Sequence, residues 1–214
     1  MLGRAPGSSV CAAGVRRRQP DAMVPEAEHT VVYREEGRFA GWPANGGIWS
    51  WGDEIVVQFT AGDVDHAKAA AAAAAGGIHH TIDHSTPLTT TQARSLDGGR
   101  TWSTGPVPCQ IPDGRALSAD EHTQMKLGDV LLFDDAPAAS TQASDRAVLL
   151  PQCEGEVPLD HPDFALLCAR TGLGPGARSL FYYSIDRCHS WVGPFALPSF
   201  GQVGVAARTD YQVC

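Results

Sequence analysis

The six cysteines, Cys11, Cys109, Cys153, Cys168, Cys188 and Cys214, include no C-x-x-C pair. That absence excludes the usual zinc-ribbon and thioredoxin spacings. Scattered over a chain this long, they read as free thiols rather than a disulfide framework. Positive charge is also scarce: 16 Lys+Arg stand against 24 Asp+Glu, a formal net charge of −8. A net anion carries no electrostatic footprint for nucleic acid, although a few arginines gathered in one cleft can still bind a small anion. No run approaches the roughly 18–20 apolar residues of a membrane span, so the chain reads as soluble with no membrane partner. Arg16-Arg17-Arg18 is followed by no apolar block, so the N-terminus does not read as a secretory signal and no compartment is assigned. There is no G-x-S-x-G elbow and no Walker string. Gly172-Leu173-Gly174-Pro175-Gly176 precedes no helical pattern and reads as a turn rather than a dinucleotide cradle.

What is present is material for a core. Hydrophobic residues make up 43% and charged residues 19% of 214, which favours a packed domain over disorder. The 23 glycines and 15 prolines are dispersed along the chain. Between them lie short β-branched and aromatic runs: Thr30–Tyr33, Ile48–Trp51, Ile55–Phe59, Val130–Phe133 and Leu180–Tyr183. Short strands punctuated by turn residues point to an all-β sandwich, barrel or propeller. Gly52-Asp53 between two of the runs is a hairpin signal. Residues 1–28 read as a disordered leader, and 29–214 as the folded domain. Asp65-His66-Ala67-Lys68 with the alanines Ala69 to Ala75 is the one helical candidate, ended by Gly76-Gly77. Short and without an apolar stripe, it reads rather as a low-complexity loop insertion, and Pro137 to Ser144 reads as a loop as well.

The most specific string is Ser95-Leu96-Asp97-Gly98-Gly99-Arg100-Thr101-Trp102. Its residue types suit a stapled hairpin turn. Asp97 can accept turn N–H groups, Gly98 and Gly99 can take positive φ, Ser95 and Thr101 can add side-chain bonds, and Trp102 can bury a ring beneath. Ser184-Ile185-Asp186-Arg187-Cys188-His189-Ser190-Trp191 repeats Ser, Asp and Trp at the same offsets but lacks both glycines.

These two strings resemble the Asp-box, S-x-D-x-G-x-T-W, of the sialidase (neuraminidase) superfamily, also called the bacterial neuraminidase repeat. Arg38-Phe39-Ala40-Gly41-Trp42-Pro43 and Val205-Ala206-Ala207-Arg208-Thr209-Asp210-Tyr211 are similar to that superfamily too, so the resemblance spans about residues 30 to 214. It implies a β-propeller of six blades. At about 40–50 residues per blade the chain holds about three to four, which suggests a truncated reading frame. The 89 residues from Ser95 to Ser184 are compatible with an intervening blade that lacks a box or with one long insertion. The box implies a scaffold, with its turns at the rim, away from the substrate cleft.

The resemblance further implies an exo-α-sialidase-type glycoside hydrolase acting on a terminal acidic sugar, without metal or other cofactor. The alternative is a non-catalytic Asp-box propeller that binds glycans or proteins. Clustered arginines would hold the sugar carboxylate by bidentate, charge-assisted bonds. Arg38 best matches the family's first arginine, with Arg34 second, and Arg208 matches a later one; the bland alternative for Arg208 is an edge-strand ion pair with Asp210. The family's acid/base is an aspartate on a loop after the first hairpin. Asp63, Asp65 and Asp83 lie in that interval, and Asp83, within His79-His80-Thr81-Ile82-Asp83-His84, is preferred. His80 and His84 share a face only on a helix, which Thr81, Ile82 and Pro87 disfavour, so no metal site is expected. Sialidases use a tyrosine nucleophile, activated in the family by a glutamate. No glutamate follows Val157, and Tyr182, Tyr183 and Tyr211 read as strand residues, so no nucleophile is assigned. His161-Pro162-Asp163-Phe164-Ala165 reads as a turn leading into a buried strand.

Overall fold

A computed structural model describes residues 27–76, 81–109, 131–132, 148–170 and 177–211. The expectations for the leader before residue 27, His79-His80, the loop 137–144 and the glycine string 172–176 lie outside these residues. The described chain is mostly β, in two antiparallel sheets.

The first sheet is built on β3 (Glu54–Asp63). On one edge β3 pairs with β1 (Arg38–Gly41) and, end to end with it, β2 (Ile48–Trp51). On the other it pairs with β4 (Thr89–Ser95), which pairs with β5 (Ser103–Pro106). The turn Gly52-Asp53 joins β2 to β3, with Gly52 at φ 67°. Between β1 and β2 the chain leaves the sheet for a single turn, α1 (Pro43–Gly46). The second sheet has the order β10-β9-β8, from β8 (Ala165–Arg170), β9 (Ser179–Ser184) and β10 (Val192–Ala196). A parallel pair, β6 (Leu131–Leu132) with β7 (Val148–Leu149), stands apart.

The sheets pack face to face. Antiparallel partners share a face, so β2 and β3 turn Trp49 and Val56 toward the second sheet. There they join Ala165, Leu167, Ala169, Leu180, Tyr182, Cys188 and Ala196 in one core. A smaller cluster, Val57, Phe59, Ala61 and Ala93, lies on the far face of the first sheet. Val32 and Tyr33 pack onto it, with Tyr33 and Phe59 ring centroids 5.2 Å apart. The run Thr30–Tyr33 is therefore not the strand its composition suggests: its apolar side chains lie across a finished sheet instead of extending one.

The alanine run also departs from expectation. It forms a helix, α2 (His66–Ala75), with ends that are both satisfied. Asp65 caps it by accepting the Lys68 N–H at 3.0 Å, and Gly76 closes it in the left-handed conformation. Capping and alanine propensity suffice without an apolar stripe; only Ala72 is buried. The turn at His161 does lead into a buried strand, β8.

The two boxed sheets are direct neighbours. The 89-residue spacing is thus one sheet-to-sheet step with a long connection, and among the described residues no third antiparallel sheet lies between them.

Candidate functional site

Each box turn is closed by the same serine and aspartate bonds. In the first, Ser95 Oγ accepts the Gly99 N–H at 2.8 Å and donates to Asp97 at 2.8 Å. Asp97 also accepts the N–H groups of Arg100 and Thr101 and the Thr101 hydroxyl. In the second, Ser184 Oγ accepts the Cys188 N–H at 2.9 Å and donates to Asp186 at 2.7 Å. Asp186 accepts from His189 N, Ser190 N and Ser190 Oγ. These bonds favour the ionised form. Those from Thr101 hold the Asp97 carboxyl far below the ordinary carboxylate range. Asp186 is also lowered; burial opposes the shift, and the bonds from Ser190 and Ser184 outweigh it. Strand register matches as well: Ile55 faces Ser95 as Ala165 faces Ser184.

The turns differ where glycine is lost. Gly98 and Gly99 have φ 72° and 91°, and Arg187 and Cys188 hold the same left-handed region at 56° and 64°. A side chain there costs about 1–2 kcal/mol. Cys188 is fully buried in the shared core, so its packing offsets part of that cost.

The boxes lie at the end of the sheets where β3 begins and β9 ends. The arginine and aspartate candidates gather toward the other end. Arg170, which closes β8, is 5% exposed. It donates to the Ala207 carbonyl at 2.8 Å and to Asn45 Oδ1 at 3.1 Å. Asn45 belongs to α1 and is itself buried. Thr209 Oγ1 donates to the Asn45 carbonyl and accepts the Cys168 N–H, which stitches the segment 207–209 to both sheets. Arg208 is exposed on that segment and makes no ion pair among the described residues, so the expected alternative with Asp210 is a backbone contact only. Burial and the nearby Arg208 charge both lower the Arg170 pKa. Arg208 directly follows Ala207, whose carbonyl Arg170 bonds.

The turn that carries Asn45 depends on glycine. A Cβ on Gly46 would lie 2.5 Å from the Gln58 carbonyl oxygen, inside contact distance of the backbone. Only glycine lets α1 rest on β3 and reach Arg170. Gln58 Oε1 and Thr60 Oγ1, buried nearby on β3, have no hydrogen-bond partner among the described residues.

Arg38 sits at the start of β1, ion-paired to Asp63 at 2.5 Å, with the Tyr33 hydroxyl a further partner that raises its pKa. Its register places it with Asp63 on the far face of the first sheet, whereas Arg170 reaches α1 at the junction. Asp83 donates its N–H to the Asp63 carbonyl, so it stands next to the Arg38 pair. Its carboxylate accepts the Ser85 hydroxyl and N–H, which hold its pKa below the ordinary value. That shift opposes a general acid, which needs a raised pKa. Tyr182 is fully buried, and desolvation drives its pKa upward. No group of three His, Cys, Asp or Glu side chains positioned for a metal occurs among the described residues.

Sequence reasoning names Arg208 as a candidate and passes over Arg170 and Asn45. The available signal was an arginine ending an otherwise apolar strand, Ala165 to Ala169. A cation in that setting needs built partners. No family model, curated protein or solved structure matches this chain.

Proposed function

We propose that the chain is part of a sialidase-like β-propeller that seats a terminal acidic sugar by its carboxylate, in the manner of an exo-α-sialidase. The observation that carries this reading is the division of labour along the sheets. Two turns closed by the same serine and aspartate bonds mark the box end, and Arg170 and the segment 207–209 that it bonds, which carries Arg208, lie away from it. Arg170 is held by Asn45 and the Ala207 carbonyl and is fixed before any ligand arrives. Arg208 is exposed and is the cation that a carboxylate meets first. Pre-set donors of this kind bind without the cost of ordering them.

The second reading, a glycan-binding propeller that cleaves nothing, is favoured by the tyrosines. Tyr182 is enclosed in the core and Tyr211 packs edge-on to Phe164, so neither is presented as a nucleophile, and Tyr33, whose hydroxyl donates to Glu35 at 2.8 Å, packs on Phe59 on the far face of the first sheet, away from Arg170. Saturation-transfer NMR with free sialic acid, beside a turnover assay on a fluorogenic sialoside, separates the readings. Binding that is lost in Arg208→Ala, without turnover, supports the binding module; turnover supports the hydrolase. Absence of both binding and turnover overturns the assignment to acidic sugars.

A further inference from the structure

At the box end, the junction between the sheets is held by charges, of which Glu54, Arg94 and Arg187 have no charged counterpart at the equivalent positions of the repeat, while Asp163 matches Asp53. Glu54, at the start of β3, is 14% exposed in its side chain and pairs with Arg94 of β4 and, at 3.0 Å, with Arg187 of the second box. Arg187 continues to Asp163 at 2.6 Å. The order is alternating: Arg94, Glu54, Arg187, Asp163. His189 Nε2 stands 3.9 Å from Glu54 on the exposed side. The same turn is gripped through its backbone. Arg94 donates to the Arg187 carbonyl at 2.7 Å, and Gln92 to the Cys188 carbonyl at 3.2 Å, with Gln92 in turn accepting from Gln58.

Superposing the repeats by register puts Gly98 at the place of Arg187, Phe164 at that of Glu54, Tyr183 at that of Arg94 and Phe181 at that of Gln92. None of these could form the chain of charges. In the first box, Trp102 Nε1 donates to the Gly99 carbonyl at 2.9 Å. In the second, the equivalent Cys188 carbonyl accepts from Gln92, and buried Trp191 Nε1 has no partner among the described residues. The second box thus gives up glycine freedom and an internal bond, and both changes serve contact with the first sheet.

We infer that the second box is a latch: Arg187 and the left-handed turn that presents it lock the two sheets in this one pairing, and releasing the latch opens the junction while each sheet stays folded. Two thiols report the difference. Cys188 is buried within the junction, whereas Cys168 lies by register on the opposite face of the second sheet. Opening the junction uncovers Cys188 alone; global unfolding uncovers both.

The test is thiol alkylation of the native full chain, mapped by mass spectrometry, in Arg187→Met, Glu54→Gln and the double variant. Each single variant is expected to speed Cys188 labelling about tenfold, with Cys168 unchanged, and the double variant to add little beyond the faster single one. Asp163→Asn, at the more exposed end of the charge chain, gives the same selective signature if the central variants fail to fold. Equal acceleration at both thiols, no acceleration at Cys188, or full additivity would overturn the latch.

Discussion

Replacing Ser184 by alanine tests whether the box turns are held from beneath. Ser184 is 1% exposed, and its hydroxyl accepts the N–H groups of Cys188 and Asp186 while donating to Asp186. Alanine leaves the Cys188 N–H buried with no acceptor, since the turn closes over it. A buried donor orphaned in this way costs about 1–3 kcal/mol. For a domain of this size, about 1 kcal/mol shifts the melting temperature by about 2–4 °C, so a fall of about 2–12 °C is expected. Ser190→Ala is the control. Its hydroxyl bonds the same carboxylate at 2.5 Å but is exposed, and water replaces it, so the expected cost is below about 1 kcal/mol. Both melts are read by circular dichroism in one buffer. Equal shifts for the two variants would refute the reasoning, because burial would then have no part in the effect.

Acid should weaken the turns selectively. The Asp97 and Asp186 pKa values are lowered in the fold, so their stabilisation is complete above the unfolded carboxylate value of about 4 and is lost as pH falls through the folded values. Melting temperatures from pH 5 to 2 should therefore drop less steeply in Asp97→Asn than in the parent chain. Gly99→Ala, at φ 91°, meets only ordinary contacts with Ile55 and Trp102 at 3.6 Å, so its cost is conformational, about 1–2 kcal/mol by urea titration. Gly46→Ala should cost about 1–3 kcal/mol by pushing α1 off β3, and it should weaken sialic acid binding with it, read by saturation-transfer NMR.

The elements that were legible in the sequence are those with local causes. The box turns rest on side chains within seven positions of one another, and the hairpin at Gly52 rests on two residues. The helix α2 shows its glycine stop in the sequence but no apolar stripe, a feature that a helix closed at both ends does not require. Thr30–Tyr33 carries strand residues and forms none, because tertiary packing on Phe59 decided its conformation. The candidate site was half legible. Arg38, Asp83 and Arg208 came from resemblance, whereas the Asn45–Arg170 contact joins residues 125 positions apart, and no local pattern encodes it.

The two glycines missing from the second box have a physical account in the same terms. Read as sequence, their loss looks like decay of a repeat. In the structure the backbone is unchanged at both positions, and the replacements carry contacts that glycine could not make. Cys188 fills the core between the sheets, and Arg187 reaches Glu54 and Asp163. A turn closed by a buried serine and a carboxylate accepting four hydrogen bonds is rigid enough to hold two side chains in the left-handed region. The first box carries no such contacts at the same positions and keeps the glycines, which hold that conformation without strain. Departure from the repeat thus falls on the box that meets the neighbouring sheet, where side chains at the left-handed positions have something to touch.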